Sequence, residues 1–573
     1  METQAKLRFI AACTTALILT CIGDADAANA GGAKARFSKA VAMDVSRPVR
    51  EIAPPKVSKT TDGVRDVRPD RGPTAIDTGS AGDGALDAAS RSAITAAIGA
   101  PLLSFEGLSN NDNFALYGGR VNPPDPVGDV GPNHYVEMVN LAFAVYDKQG
   151  HLLTGPTRLG DLWAGFAVAD CRDPSGDPIV VYDQLKDRWL LSQFTTRGPE
   201  FFNCVAISQS GDPTGAYNRY AFSAGPFFPD YPKYGVWTDS YLLTSRDFGP
   251  TVEYGISVYA LEKKKMIAGD PNARAVQFFL DSAEVPINLI GDGLLPADLD
   301  GTRKPAEGVA APIVGSQDDG GPYGAGFDAL NVFDLLVIWN AQATASLTLV
   351  AQLPVAGFDS IFPCGSTGRD CLRQPGVNSQ NRFLDILSYR QRVTWRLAYR
   401  HFGDYEALVT NQSVEARPEV AGVRWYEIRR INGAYAVHQQ GTFAPTDGVN
   451  RWMGSAAMDR NGNIALGYSV VNAVDVFPGI RYTGRLSTDP LGTMGLGEGV
   501  IVNGSGVQTS KNSRWGDYTS LNLDPTDDCT GTSTSTTRPP ERLPVPRGGR
   551  PGSPASGCPA ADVLRQVIPA GQW

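Results

Sequence analysis

An aspartate recurs in this chain behind a small or proline residue and ahead of a short run of β-formers. It stands in Val127-Gly128-Asp129, in Gly176-Asp177-Pro178 running into IVVYD, in Pro229-Asp230-Tyr231, in Gly403-Asp404-Tyr405 and in Gly516-Asp517-Tyr518. Placed just before the innermost strand of successive units, Asp129, Asp177, Asp230, Asp404 and Asp517 would approach one end of a central channel. Carboxylates gathered there form the oxygen-rich donor set that calcium takes. The same aspartates can instead accept backbone N–H bonds in their own tight turns. Recurrence in unit after unit is what a folding motif requires, so the turn reading takes precedence and calcium is the alternative. A second set of residues has the parts of glycoside cleavage. Arg451, Arg481 and Arg514 can hold a carboxylate, and Tyr405 or Tyr482 can serve as a nucleophile assisted by Glu406. Arg451 and Arg514 open two copies of one Arg-Trp pair, which favours structural pairing with neighbouring carboxylates. Trp452, Trp515 and Tyr482 could line a face on which sugar rings stack, although aromatics in strand-rich repeats more often serve packing. Asp459-Arg460-Asn461-Gly462-Asn463 is a tight structural turn without the glutamate that would complete a calcium loop. No serine nucleophile elbow, HExxH, phosphate loop or dinucleotide fingerprint occurs.

The elements that would position these residues are short strands. Gly and Pro are plentiful, at 63 and 41 of 573 residues, and β-branched and aromatic residues cluster in brief runs between Asn, Asp and Gly turns. Units of three or four strands recur roughly every 50 residues, each too small to bury its own core. The expectation is an all-β chain folded as a β-propeller over about 101–530, of seven four-stranded blades, with six or eight as alternatives and the last blade incomplete. The net charge of −9 is spread along the chain, which excludes a nucleic-acid partner, since phosphate binding needs a basic face.

Lys6 and Arg8 precede the apolar run Phe9 to Ile22, and Ala25-Asp26-Ala27 offers small residues for cleavage. Residues 1–27 therefore read as a signal peptide, with no membrane span in the mature chain and a secreted or periplasmic destination. Residues 28–100 read as a disordered leader, with a short helix near Ala85 to Ile98. An oxidising compartment makes Cys171 with Cys204, and Cys364 with Cys371, reasonable disulfides.

Several stretches resemble a loosely grouped set of secreted bacterial β-propellers related to sialidase-like, BNR-repeat proteins. They include PPDPVGDVGPNHYVEMVN (Pro123 to Asn140), GDPIVVYDQLKDRWLLSQF (Gly176 to Phe194), FPDYPKYGVW, LPADLDG, HFGDYEALV, MDRNGNIALGYSV and RWGDYTSLNLDPTDDCT. The resemblance covers about 102–530 and implies a propeller but no established reaction. It ends abruptly at Thr530, where GTSTSTTRPP replaces the aromatic closing strand, as a one-base shift in reading register would produce. Residues 531–573 thus read as an irregular tail that leaves Leu102 to Leu108 without a strand partner. The functional expectation is a non-catalytic module that binds an extracellular glycan or protein. A sialidase-like glycoside hydrolase is the alternative, and the early arginine motif of sialidases is missing.

Overall fold

The alternating runs form strands throughout the computed structural model, which describes residues 33–53, 64–66, 82–87, 98–173, 175–251, 254–306, 308–362, 364, 370–386, 391–509 and 514–534. The chain is all-β and its sheets are arranged as in a β-propeller. Four of them are up-and-down units of four chain-consecutive strands, spanning 127–158, 179–225, 228–281 and 450–502. Short turns join their strands, with glycine in the left-handed region where the hairpin demands it, as at Gly150 (φ 86°) and Gly462 (φ 79°).

The stretch 295–443 departs from the expected separate blades. Its two four-stranded units are fused into one eight-stranded sheet, because Leu295–Asp300 runs parallel to Thr394–His401 and pairs with it from Ala297 opposite Leu397 to Asp300 opposite Arg400. Arg396 crosses this junction. Its guanidinium bonds Asp298 at 2.8 Å and takes Asp300 with two bonds at 2.8 and 2.7 Å.

The first strand of each unit lies innermost, and these strands touch in chain order: Val127–Val130, Ile179–Asp183, Phe228–Val236, Leu295–Asp300, Thr394–His401, Asn450–Met458 and Ser520–Leu523. The circle closes where Ser520–Leu523 meets Val127–Val130. There the Gly128 N–H donates to Ser520 Oγ and the Ser520 hydroxyl donates to the Gly128 carbonyl, both at 2.9 Å. Among the described residues this closing sheet has two strands, Ser520–Leu523 and Gly531–Thr534. The first four residues of the expected irregular tail are thus paired; those beyond 534 lie outside the described residues.

Two further expectations need adjusting. Leu102 to Leu108 forms no strand, since the Leu108 N–H is taken by the buried Glu137 carboxylate at 2.8 Å. The helix Asn110–Tyr117 follows instead, started by a reciprocal Ser109–Asp112 capping box. The leader is not without structure either. Arg36–Lys39 adds a fifth strand to the outer edge of one sheet, against Arg274–Asp281, and Ala42–Val45 does the same against Tyr217–Gly225. Ser46 accepts the Tyr217 N–H at 2.9 Å, Arg219 holds Asp44 through two bonds, and Val49 is buried in the core. Further along, Asp83 pairs with Arg424 at 2.6 Å, both side chains buried, and Leu86 bridges to Thr442. The leader covers sheet edges that would otherwise present unpaired backbone groups. The expected signal peptide, and most of the helix expected near Ala85 to Ile98, fall outside the described residues.

The core lies between neighbouring sheets. One cluster joins Trp163, Trp189, Tyr217 and Tyr241, and a second joins Trp237, Tyr399, Phe333 and Ile428. Both expected disulfides are formed. Cys171–Cys204 pins the Ala169–Arg172 turn to Phe201–Ser208, and Cys364–Cys371 closes a short loop in the excursion after Thr344–Pro354.

Candidate functional site

Residues that precede the innermost strands converge at one end of the channel. The backbone there adopts the left-handed region at three non-glycine positions, Asp125 (φ 46°), Asp177 (φ 43°) and Tyr231 (φ 54°). A tyrosine in that region is uncommon, and such strain persists where the surroundings over-determine it. The result is a compact polar cluster. Tyr518 donates its hydroxyl to Asp177 at 2.9 Å, while Asn140 accepts from the Asp177 N–H at 2.9 Å and donates to Asp125 at 2.6 Å. Asp125 also accepts the Asp517 N–H at 2.7 Å, and Arg514 pairs with Asp517.

Lys233 sits between two aromatic faces. Its Nζ lies 3.0 Å from the Tyr231 ring centroid and 3.6 Å from that of Tyr518, and the rings are 5.2 Å apart. Arg392 covers Tyr231 at 4.2 Å, and Asp292 joins Arg246 at 2.9 Å, Arg392 at 3.5 Å and the Tyr323 hydroxyl at 3.0 Å. The Tyr231 hydroxyl is buried and has no hydrogen-bond partner among the described residues. Asp230 and Asp517 are the half-buried members; Asp125, Asp177, Lys233, Tyr518 and Asp292 are buried.

Crowding of carboxylates out of water sets the protonation of the cluster. Burial, then the charge of Asp517, lifts the Asp125 carboxyl to about 7. Burial, then the charges of Asp125, Asp230 and Asp517, raises Asp177 well above the carboxylate range. Burial and Arg392 push the Lys233 ammonium well down, against the pull of Asp177. Deeper along the channel, burial and Asp298 lift Asp129 to about 8 despite Arg396.

These shifts predict how stability follows pH. A carboxyl whose folded pKa lies above its unfolded value near 4 favours the folded state while protonated. Its contribution is complete below about pH 4 and lost as pH rises through the folded value. Asp125 and Asp129 therefore withdraw stability between about pH 4 and 8. Asp447 acts oppositely: Arg451 more than offsets burial and holds it below the usual range, so its contribution disappears in acid. Guanidinium denaturation midpoints should peak at about pH 4 to 5. A midpoint still rising from pH 6 to 8.5 would contradict this.

Of the five recurring aspartates, Asp177, Asp230 and Asp517 are neighbours at this mouth, and Asp125 joins them. Asp129 instead accepts the Tyr182 N–H at 2.6 Å and the Val130 N–H at 2.7 Å, binding adjacent innermost strands together. Asp404 is exposed at the hairpin beyond Thr394–His401, at the other end of the channel. No three of the five bring ligand atoms within 4.8 Å of one another among the described residues.

The residues considered for glycoside cleavage lie apart. Arg451 is buried and held by Glu498 and Asp447 at 2.7 Å each, and Arg481 reaches the same Glu498 at 2.9 Å. Tyr405 stacks on Phe402 and beneath Arg429, while Glu406 accepts from the Tyr399 hydroxyl at 2.7 Å. That hairpin is about 25 Å from the mouth, the length of the eight-residue strand between them. Of this set, Arg514 alone reaches the cluster. Trp452 and Trp515 pack on each other at 5.9 Å inside a small core, and Tyr482 is buried with its hydroxyl on the Gly99 carbonyl, so none offers a face for a sugar.

The residues sequence reasoning passed over are Asp125, Tyr231, Lys233, Asp292, Arg392 and Tyr518. A signal existed for two of them: Asp-Tyr recurs in Asp230-Tyr231 and Asp517-Tyr518, and the two tyrosines meet across the channel.

No protein-family model matches this chain, and no curated protein matches it. It is similar to solved structures that include the alpha-L-arabinanase of Penicillium chrysogenum complexed with arabinobiose, at 8% identity over 61% of this chain and 89% of that one, with a TM-score of 0.28. A neuraminidase-like protein of A/little yellow-shouldered bat shares 9% identity over 63% and 94%, with a TM-score of 0.31. The endo-arabinase of Bacteroides thetaiotaomicron shares 11% over 53% and 92%, with a TM-score of 0.24. Similarity at this level says nothing about the site, which stands on its own geometry.

Proposed function

We propose that this chain is an exported β-propeller of seven blades that binds a glycan, without turning it over, at the channel mouth formed by Asp125, Asp177, Asp230, Asp517, Tyr231, Lys233 and Tyr518. The blade count is supported by the circle of innermost strands, with 295–443 contributing two fused blades and 520–534 the stub of the last. Export suits the two disulfides, and no helix among the described residues is long and apolar enough to cross a membrane. Residues 1–27 remain the proposed signal, and residues 531–573 the proposed frameshifted tail.

The observation that carries the binding reading is the mouth itself. Half-buried carboxylate acceptors at Asp230 and Asp517 adjoin a buried cluster of aromatic rings and cations. A few convergent polar groups fixed by a rigid surround are what orients a hydroxyl-rich ligand. A glycan array probed with the purified protein should give a defined set of ligands, lost in Asp517→Asn and Asp230→Asn. An array without signal would overturn the reading.

A glycoside hydrolase is the second reading, and Asp125 is what favours it. A carboxyl lifted to about 7 beside the Asp517 carboxylate is the unequal pair that acid–base cleavage of a glycosidic bond needs. Release of aryl alcohol from a panel of aryl glycosides, abolished by Asp125→Asn, would establish turnover and displace the purely binding role.

A further inference from the structure

A second cluster of carboxylates lies on the hairpin that follows Ala311–Gln317. One ligand atom each from Asp318, Asp319 and Asp328 fall within 4.8 Å of one another, with Asp318 and Asp328 buried and Asp319 exposed. No arginine or lysine pairs with any of the three among the described residues, in contrast with Asp292, Asp298 and Asp447, which each have at least one. The carboxylates are already oriented by the backbone: Asp328 accepts the Asp319 and Phe358 N–H groups at 2.7 Å each, and Asp318 accepts from the Gly320 and Ser360 N–H groups at 2.8 Å each. Those bonds leave lone pairs on all three residues.

Two neutral oxygens provide the independent observation. Gln391 Oε1 and Ser316 Oγ are both buried and have no hydrogen-bond partner among the described residues, in residues that are fully enclosed. Gln391 Oε1 stands against the Asp318 side chain across Gly321: a Cβ built on that glycine would lie 2.5 Å from Oε1, 3.0 Å from Asp318 Cβ and 3.2 Å from Asp318 Cγ. Ser316 is two residues before Asp318, on the strand Ala311–Gln317 that runs into the hairpin. The Gln391 amide Nε2 is spent on the Ser316 carbonyl at 3.3 Å, which turns Oε1 outward from that bond. A buried amide oxygen without a donor is costly, and here it lies beside Asp318, one of three carboxylates that have no counter-charge among the described residues.

We infer that Asp318, Asp319, Asp328 and Gln391, with Ser316 behind them, form a binding site for a hard divalent cation of the calcium class. The donors are all oxygen, they mix carboxylates with a neutral amide, and they come from two separate segments, which is the coordination calcium accepts and a softer metal does not seek. The ion would tie the 318–328 hairpin to the segment that leads into Thr394–His401. Tyr323 of that hairpin reaches Asp292 in the channel mouth at 3.0 Å, so the tie would brace one wall of the mouth.

The test is calorimetric titration of the chelator-treated full chain with calcium chloride, paired with thermal unfolding. One calcium per chain and a raised melting temperature are expected. Asp319→Asn, an exposed change that leaves the packing intact, should weaken binding at least tenfold, as should Gln391→Leu. Asp177→Asn at the channel mouth should leave it unchanged. Absence of calcium binding to the unmodified chain, or binding that Asp319→Asn leaves intact, overturns the site. Neither result bears on glycan recognition, which the array reads separately.

Discussion

Replacing Arg396 with methionine should cost about 3–5 kcal/mol of stability, the usual penalty for removing one partner from a buried ion pair. The guanidinium is 3% exposed and answers two carboxylates, Asp298 and Asp300, with three bonds. It also lowers the carboxyl of Asp129, which burial and Asp298 otherwise raise. Without it, three buried acids share a pocket with no cation. Asp129 and Asp298, whose carboxyls burial already raises, would meet the loss by taking up protons, so the deficit should shrink when unfolding is measured at pH 5 rather than pH 8. Methionine keeps the length and apolar stem of arginine, which separates lost charge from lost packing. Denaturant unfolding at the two pH values decides it: a loss below about 1 kcal/mol at pH 8, or one that does not vary with pH, would mean the junction rests on the parallel strand pairing alone.

The second large effect is expected at Cys171–Cys204. The bridge closes 33 residues of sequence, and the loop-entropy relation gives about 3–4 kcal/mol for a ring of that size. Both cysteines are fully buried, and the Gln193 amide adds a bond to the Cys171 carbonyl at 2.6 Å. Cys364–Cys371 spans 7 residues, for which the same relation gives about 2 kcal/mol. Replacing each pair by alanine should therefore destabilise the protein in that order. Equal losses would show that chain entropy is not what these bridges supply.

Strand runs, turns and both cysteine pairs were legible because each depends on residues close in sequence or on simple chemistry. A short apolar, β-branched and aromatic run such as His134–Val139 or Ile464–Val471 needs no tertiary knowledge. The fusion of two units into one sheet was not legible, since Ala297 and Leu397 are joined by backbone bonds that leave no mark on composition. The leader misled for a related reason. Arg36–Lys39 is exposed along its whole length, so an edge strand of this kind has no need of apolar residues and reads as unstructured. At the site, the recurring aspartates were visible but their division of labour was not. Asp129 serves its neighbour's backbone while Asp177 faces other acids, and what separates them is the partner each meets across the channel. Arg451 shows the same limit, because Glu498 reaches it from 47 residues away.

The leader's pairing also sets an order of events as the chain folds. Asp44 waits for Arg219, 175 residues downstream, and Lys39 for Asn272, 233 residues downstream. At a synthesis rate of about 5–20 residues per second, those partners emerge about ten seconds to most of a minute after the segment that needs them. The earliest part of the described chain is thus among the last to find its place. Those two sheets must be built with their outer edges open, and residues 36–45 are the latch that shuts them.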